Sequence, residues 1–153
     1  MIERVLTAPK FKILADDIFS LFGEENEHES HVCGLTHDKE SIVRNIGHPS
    51  LLQWDVFVWA NKNVEGKYDA VVIFVNDKNA KFNTSIFSEF VWLSKNPKVG
   101  YKLLKKAIDF AREKGFEYIS ISSVEKTKNC KKNESFYKKL GFLKDSSTFI
   151  AKL

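Results

Sequence analysis

Residues 91 to 121 read VWLSKNPKVGYKLLKKAIDFAREKGFEYISI. The period of the apolar residues changes twice within this stretch. NTSIFSEFVWLS (83–94) is rich in β-branched and aromatic residues and predicts a strand. Val99, Leu103, Leu104, Ala107, Ile108 and Ala111 then fall on one face of a helix that begins near Lys98 and is closed by Gly115. FEYISISSV (116–124) predicts the next strand. A strand–helix–strand unit over residues 84–124 implies two parallel strands joined by a right-handed crossover. The turn KNPKVGYK sets a helix N-terminus at the end of a strand, where unpaired N–H groups and partial positive charge favour an anion such as phosphate. Gly100 would let a ligand approach the backbone closely, and Lys95, Lys98 and Lys102 add charge around the same point.

Before this unit, a short opening strand precedes a helix with Ile13, Leu14, Ile18, Leu21 and Phe22 at helical spacing and Gly23 at its end. A second helix is expected from His37 to Ile46, with Gly47 just beyond it. LLQWDVFVWA (51–60) and YDAVVIFVND (68–77) read as an antiparallel hairpin across the glycine-containing turn NKNVEGK. After it come a lysine-rich loop, a short helix in NESFYKKLGF (133–142) and a last strand in STFIAKL (147–153). The order β-α-α-β-β-β-α-β-α-β predicts an α/β (α+β) fold, with helices flanking a mixed central sheet in a single domain over residues 1–153.

Composition is ordinary for a globular domain, with 43% apolar and 29% charged residues among 153. Thirteen phenylalanines predict an aromatic-rich core. No stretch approaches the ~20 apolar residues that a membrane span needs, and the opening MIERVLTAPK lacks the apolar run of a signal peptide. Cys33 and Cys130 stand in no paired motif and read as free thiols of a cytoplasmic protein. Charge is uneven: residues 1–48 carry five Lys/Arg against nine Asp/Glu, and residues 95–144 carry fourteen against five. The C-terminal half should therefore attract an anion, although lysines also coat solvated helix faces.

The strand–turn–helix–strand of residues 91–121, followed by a helix that ends FYKKLGF, resembles the GCN5-related N-acetyltransferase (GNAT) superfamily. The resemblance covers about the last 70 residues, and the first half matches only in its order of elements. The family's loop runs Arg or Gln, two residues, Gly, one residue, then Gly or Ala. Here Gly100 takes the place of the last glycine, Lys98 that of the first, and Lys95 that of the Arg or Gln.

The resemblance implies a fold in which the strand over 89–93 splays from its neighbour and opens a cleft for acetyl-CoA. Backbone groups of Val91, Trp92 and Leu93 would pair with the pantetheine arm. Lys95, Lys98, Val99, Gly100, Tyr101 and Lys102 would surround the pyrophosphate. The implied reaction is direct attack of a primary amine on the thioester, without a metal. Tyr137 would protonate the departing thiolate, and the alternative is a hydroxyl that only caps a buried ring. Glu89 is the candidate base, because burial in an apolar strand would raise its pKa; the alternative is a carboxylate paired with a lysine. Glu125 is a second candidate, and a water chain could replace both.

His28, His31, Cys33 and His37 are zinc-ligand types within ten residues, but their spacing fits no finger pattern, and a polar loop explains them. A nucleic-acid surface over Lys126–Lys144 is the other class of function. It lacks interleaved aromatics before Phe136 and is poor in arginine, so nucleic acid is not the expected partner. A GNAT-like protein that binds without catalysis is a third reading. The sequence names neither the acceptor nor the oligomeric state, and a homodimer is compatible with it.

Overall fold

The structure, a computed structural model, describes residues 1–28, 38–78, 83–122 and 130–145. Its contacts divide into two compact units, Met1–Leu21 with Asp38–Ser122, and Phe22–His37 with Ser123–Leu153. The first unit holds a five-stranded sheet in sequential order: β1 (Ile2–Arg4), β2 (Val56–Lys62), β3 (Tyr68–Asp77), β4 (Ile86–Ser94) and β5 (Tyr118–Ser120). Pairing is antiparallel from β1 to β4 and parallel between β4 and β5. The sheet is therefore mixed and flanked by helices, as the order of elements predicts.

Burial runs almost without a break along β2 and β3, so both faces of the central strands are covered. On one face lies helix α4 (Pro97–Glu113), which buries Leu103, Leu104, Ala107 and Ala111. Between α4 and the sheet sits an aromatic cluster. Phe87 of β4 stacks on Phe74 of β3, with ring centroids 4.4 Å apart and planes 3° from parallel. Phe110 of α4 lies 5.1 Å from both Phe57 and Trp59. The Arg4 guanidinium packs over Phe110 at 4.6 Å and over Phe57 at 5.3 Å, a cation–π contact that fixes the edge strand under the helix.

Helix α1 (Ala8–His28) buries Phe11, Leu14, Ala15 and Ile18 along one stripe. It continues through Gly23 instead of ending there. Gly23 lacks the positive φ of a helix-ending glycine, and an exposed glycine within a helix costs only about 1 kcal/mol. Helix α2 (Lys39–Ile46) begins after Asp38, whose Oδ2 accepts the Ser41 N–H at 3.2 Å. The expected strand over 51–60 starts only at Val56. Residues Pro49–Trp54 form helix α3, with Pro49 in its first turn and the His48 Nδ1 accepting the Ser50 N–H at 3.3 Å. Strand β5 is likewise shorter than the expected 116–124.

The second unit contains α5 (Cys130–Lys139). Helix α5 begins three residues before the expected 133, so Lys131 and Lys132 of the lysine-rich loop belong to it. The predicted strand over 147–153, the rest of that loop, Glu125, and the cluster of His31, Cys33 and His37 lie outside the described residues. No described helix is long and apolar enough to cross a membrane.

Candidate functional site

Strand β4 has two neighbours and leaves one of them early. It pairs with β3 from Ile86 to Ser94, but with β5 only from Ile86 to Ser88, where Ser88 stands opposite Ser120. Immediately beyond that point the β3–β4 register slips by one. Glu89 faces Phe74 and Val91 faces Ile73, so Phe90 is the extra residue of a β-bulge. A bulge bends its strand and sharpens the twist, which turns β4 away from β5. Among the described residues the β4–β5 ladder ends at the Ser88–Ser120 pair. Beyond that end, Val91, Trp92 and Leu93 are half-buried and Phe90 is exposed.

Two polar contacts mark the place where the strands part. The Ser120 hydroxyl donates to Ser88 Oγ at 3.2 Å. One step further out, the Ser122 N–H donates to Glu89 Oε2 at 3.1 Å.

At its far end β4 runs directly into α4 through Ser94, Lys95 and Asn96. Asn96 is the N-cap: its Oδ1 accepts the Lys98 N–H at 3.0 Å, and its own N–H donates to Ser94 Oγ at 3.2 Å. Pro97 has no N–H, and the Gly100 N–H donates to the Asn96 carbonyl at 2.9 Å. Within the first turn this leaves the Val99 N–H without an acceptor among the described residues. Gly100 faces the strand. A Cβ there would stand 3.1 Å from Ser94 Cβ and 3.4 Å from Trp92 Nε1. The Trp92 indole N–H in turn donates to the Gly100 carbonyl at 3.2 Å. The absent side chain thus seats the helix on β4, and the indole holds it there. Lys95, Lys98, Tyr101 and Lys102 are exposed around the turn, and Lys98 and Lys102 make no ion pair among the described residues.

Val91 to Lys102 therefore lie on one continuous strand–turn–helix, with Glu89 at the point where the strands diverge. Tyr137 belongs to the second unit, where the structure explains the sequence around it. Gly141 has φ +90° and follows the last turn of α5. Its N–H donates to the Lys138 carbonyl, and the Phe142 N–H donates to the Tyr137 carbonyl, both at 3.0 Å. This pair of bonds is a Schellman motif, and the rings of Tyr137 and Phe142, 6.1 Å apart, make the apolar contact that accompanies it. Tyr137 itself is buried. Helix α4 ends in the same way at Gly115, with Phe116 N–H donating to the Ala111 carbonyl at 3.0 Å.

Sequence reasoning did not assign Ser94 and Asn96 a part in this site. The signal was present, because Asn followed by Pro is a helix-start pair. The Glu89–Ser122 contact has no such local signal, since it joins residues 33 positions apart. No group of three or more metal-ligand side chains occurs among the described residues.

No family model matches the chain, and no curated protein does. Solved structures do match, over the whole of this chain. An aminoglycoside acetyltransferase from an uncultured soil metagenomic sample, in complex with trehalose, superposes with a TM-score of 0.66 at 19% identity over 95% of its own length. A Trypanosoma brucei acetyltransferase gives 0.65 at 14% identity over 100% of its length. The ribosomal-protein-alanine N-acetyltransferase of Brucella melitensis biovar Abortus 2308 gives 0.62 at 11% identity over 99%. At these identities the likeness speaks to architecture alone. The chain has the fold of the GCN5-related N-acetyltransferases.

Proposed function

We propose that residues 1–153 form one acyl-CoA-dependent N-acyltransferase domain that transfers an acetyl group from acetyl-CoA to a primary amine. The observation that carries the proposal is the early end of the β4–β5 ladder. An extended pantetheine arm can add to the open side of β4 at Val91–Leu93 as a further strand would. The same strand leads into the capped turn of α4, where Lys95, Lys98, Val99, Gly100, Tyr101 and Lys102 would meet the pyrophosphate.

In the reaction the amine nitrogen attacks the thioester carbonyl, a C–N bond forms and the C–S bond breaks. The amine loses a proton, and the departing thiolate gains one. Tyr137 is proposed as the donor to the thiolate, on the strength of the FYKKLGF motif. Glu89 is the carboxylate carried at the fork, and it could serve either as a base through water or as a structural strut. Matching folds include aminoglycoside and ribosomal-protein-alanine acetyltransferases, so small polyamines and peptide amines both belong in an acceptor screen. A cytoplasmic location follows from reading the two cysteines as free thiols.

Release of free CoA thiol from acetyl-CoA, measured across a panel of polyamines, aminoglycosides and peptide N-termini, tests the proposal. Amine-dependent release is expected with at least one acceptor class, and Tyr137→Phe should lower kcat while leaving cofactor affinity near wild type. Wild-type turnover in that variant would remove Tyr137 from the mechanism. One observation favours a second reading, a binding protein without catalysis. Asn96 takes the Lys98 N–H on its side chain and the Gly100 N–H on its carbonyl, while Ser94 takes the N–H of Asn96 itself, so few groups are left to cradle a pyrophosphate. Acetyl-CoA binding without thiol release toward any amine would support it.

A further inference from the structure

We infer that Glu89 is a positioning residue, a wedge that holds β4 and the chain after β5 apart and so sets the width of the acyl-CoA cleft. The inference rests on the acyl-CoA reading for its consequence and on the geometry of the fork for its structural content.

In a parallel ladder, alternate N–H groups of one strand donate directly to carbonyls of the next, and the strands lie about 4.8 Å apart. Ser88 and Ser120 are the last residues so paired. Two positions on, Ser122 lies beyond the ladder. Its N–H donates to the Glu89 carboxylate at 3.1 Å. A side chain has thus taken the place of a backbone acceptor. Two methylenes and a carboxylate give this acceptor a reach that a backbone carbonyl lacks, so the bond is kept past the point where the ladder ends.

The bulge at Phe90 makes the same break from the other side, because it shifts the β4 register against β3 just past Glu89. The hydroxyl bond between Ser120 and Ser88 ties the final paired position and fixes where the divergence begins. Bulge, hydroxyl tie and carboxylate strut therefore act in succession over Ser88–Phe90. A charged acceptor suits the strut, since its hydrogen bond is stronger than that of a neutral one.

A general base needs a carboxylate that can take a proton, whereas a strut needs an oxygen acceptor at the right reach. Glutamine retains the reach and the acceptor, aspartate shortens the arm by about 1.5 Å, and alanine removes it. The wedge predicts that Glu89→Ala and Glu89→Asp raise the dissociation constant for acetyl-CoA about tenfold, the effect of one charge-assisted hydrogen bond. Glu89→Gln should restore most of that affinity and keep the shape of the pH–rate profile.

Amide hydrogen exchange at Ser122 supplies a readout that needs no ligand. The amide should be protected in the wild type and in Glu89→Gln, and should exchange faster in Glu89→Ala. Unchanged Ser122 exchange in Glu89→Ala would overturn the wedge whether or not the protein binds acetyl-CoA. Normal affinity in Glu89→Gln with loss of the alkaline rise in rate would overturn it in favour of a base. Failure of the wild type to bind acetyl-CoA, with Ser122 exchange responding as expected, would instead remove the acyl-CoA reading and leave the strut standing.

Discussion

Replacing Phe87 by alanine should loosen α4 from the sheet, because this ring joins β4 to α4 just before the fork. Phe87 is fully buried. Its centroid lies 4.4 Å from Phe74, 5.0 Å from Phe116 and 5.5 Å from Phe57. Truncation removes the transfer energy of a buried ring and leaves a cavity lined by rigid aromatics that cannot collapse, so the cost should fall at about 3–5 kcal/mol. For a domain of this size each kcal/mol moves the midpoint by roughly 2–4 °C, giving a drop of about 10 °C in calorimetry. A cycle with Phe74→Ala separates the stacked pair from simple burial. The double variant should be less destabilised than the sum by about 0.5–1.5 kcal/mol, the increment of an aromatic pair. Phe90→Ala, at an exposed bulge residue, is the control and should cost about 1 kcal/mol or less. A loss for Phe87→Ala below about 2 kcal/mol, or equal to that of Phe90→Ala, would refute the claim that this cluster fixes α4 on the sheet.

Three further outcomes are expected. The Tyr68 hydroxyl, with the Lys62 and Lys10 ammonium groups, holds the Glu3 carboxyl at about 2, well below its ordinary 4.5. A depressed carboxyl contributes stability that is complete above pH 4.5 and is lost as pH falls through 2. Allowing for solvent screening, about 1–2 kcal/mol should disappear over that window. Urea unfolding of Glu3→Gln should lack this acid-dependent loss, and an acid limb unchanged in the variant would contradict the assignment. Gly141→Ala places a Cβ at φ +90° and should cost about 1–2 kcal/mol, with Gly141→Asn milder. Equal midpoints for the wild type and Gly141→Ala would show that the Schellman end is not maintained. The Lys98→Gln, Lys102→Gln double variant should weaken acetyl-CoA binding and flatten its salt dependence between about 0.02 and 0.3 M. Among the described residues the first turn offers one N–H without an acceptor, so a salt slope equal to that of the wild type would place the phosphates elsewhere.

The unit around α4 was legible because its signals are local. The apolar stripe from Val99 to Ala111, the glycine stops at 115 and 141, and the strand composition of 83–94 need only near neighbours. Helix α3 was missed for a related reason. Leu51, Leu52 and Trp54 run into Val56–Ala60 as one apolar stretch, and Pro49, a helix-start signal just before it, went unread. Gly23 misled in the opposite direction, since a glycine stops a helix only when its backbone turns left-handed. The divergence of β4 from β5 came from the family resemblance, not from any residue pattern. What produces it in this chain, a bulge at Phe90 and a carboxylate reaching Ser122, depends on pairings far apart in sequence. Arg4 was equally silent: its place over Phe110 and Phe57 exists only once β1 has paired with β2.

The measurement that bears most directly on the central claim is the thermal midpoint of the purified protein with and without acetyl-CoA. A ligand at ~100 times its dissociation constant adds roughly 2.7 kcal/mol to the native state, which for this chain length is an upward shift of about 5–10 °C. That shift is expected for the wild type, and a smaller one for the Lys98→Gln, Lys102→Gln variant. An unchanged midpoint across millimolar acetyl-CoA would contradict the claim that the opening beside β4 is an acyl-CoA site.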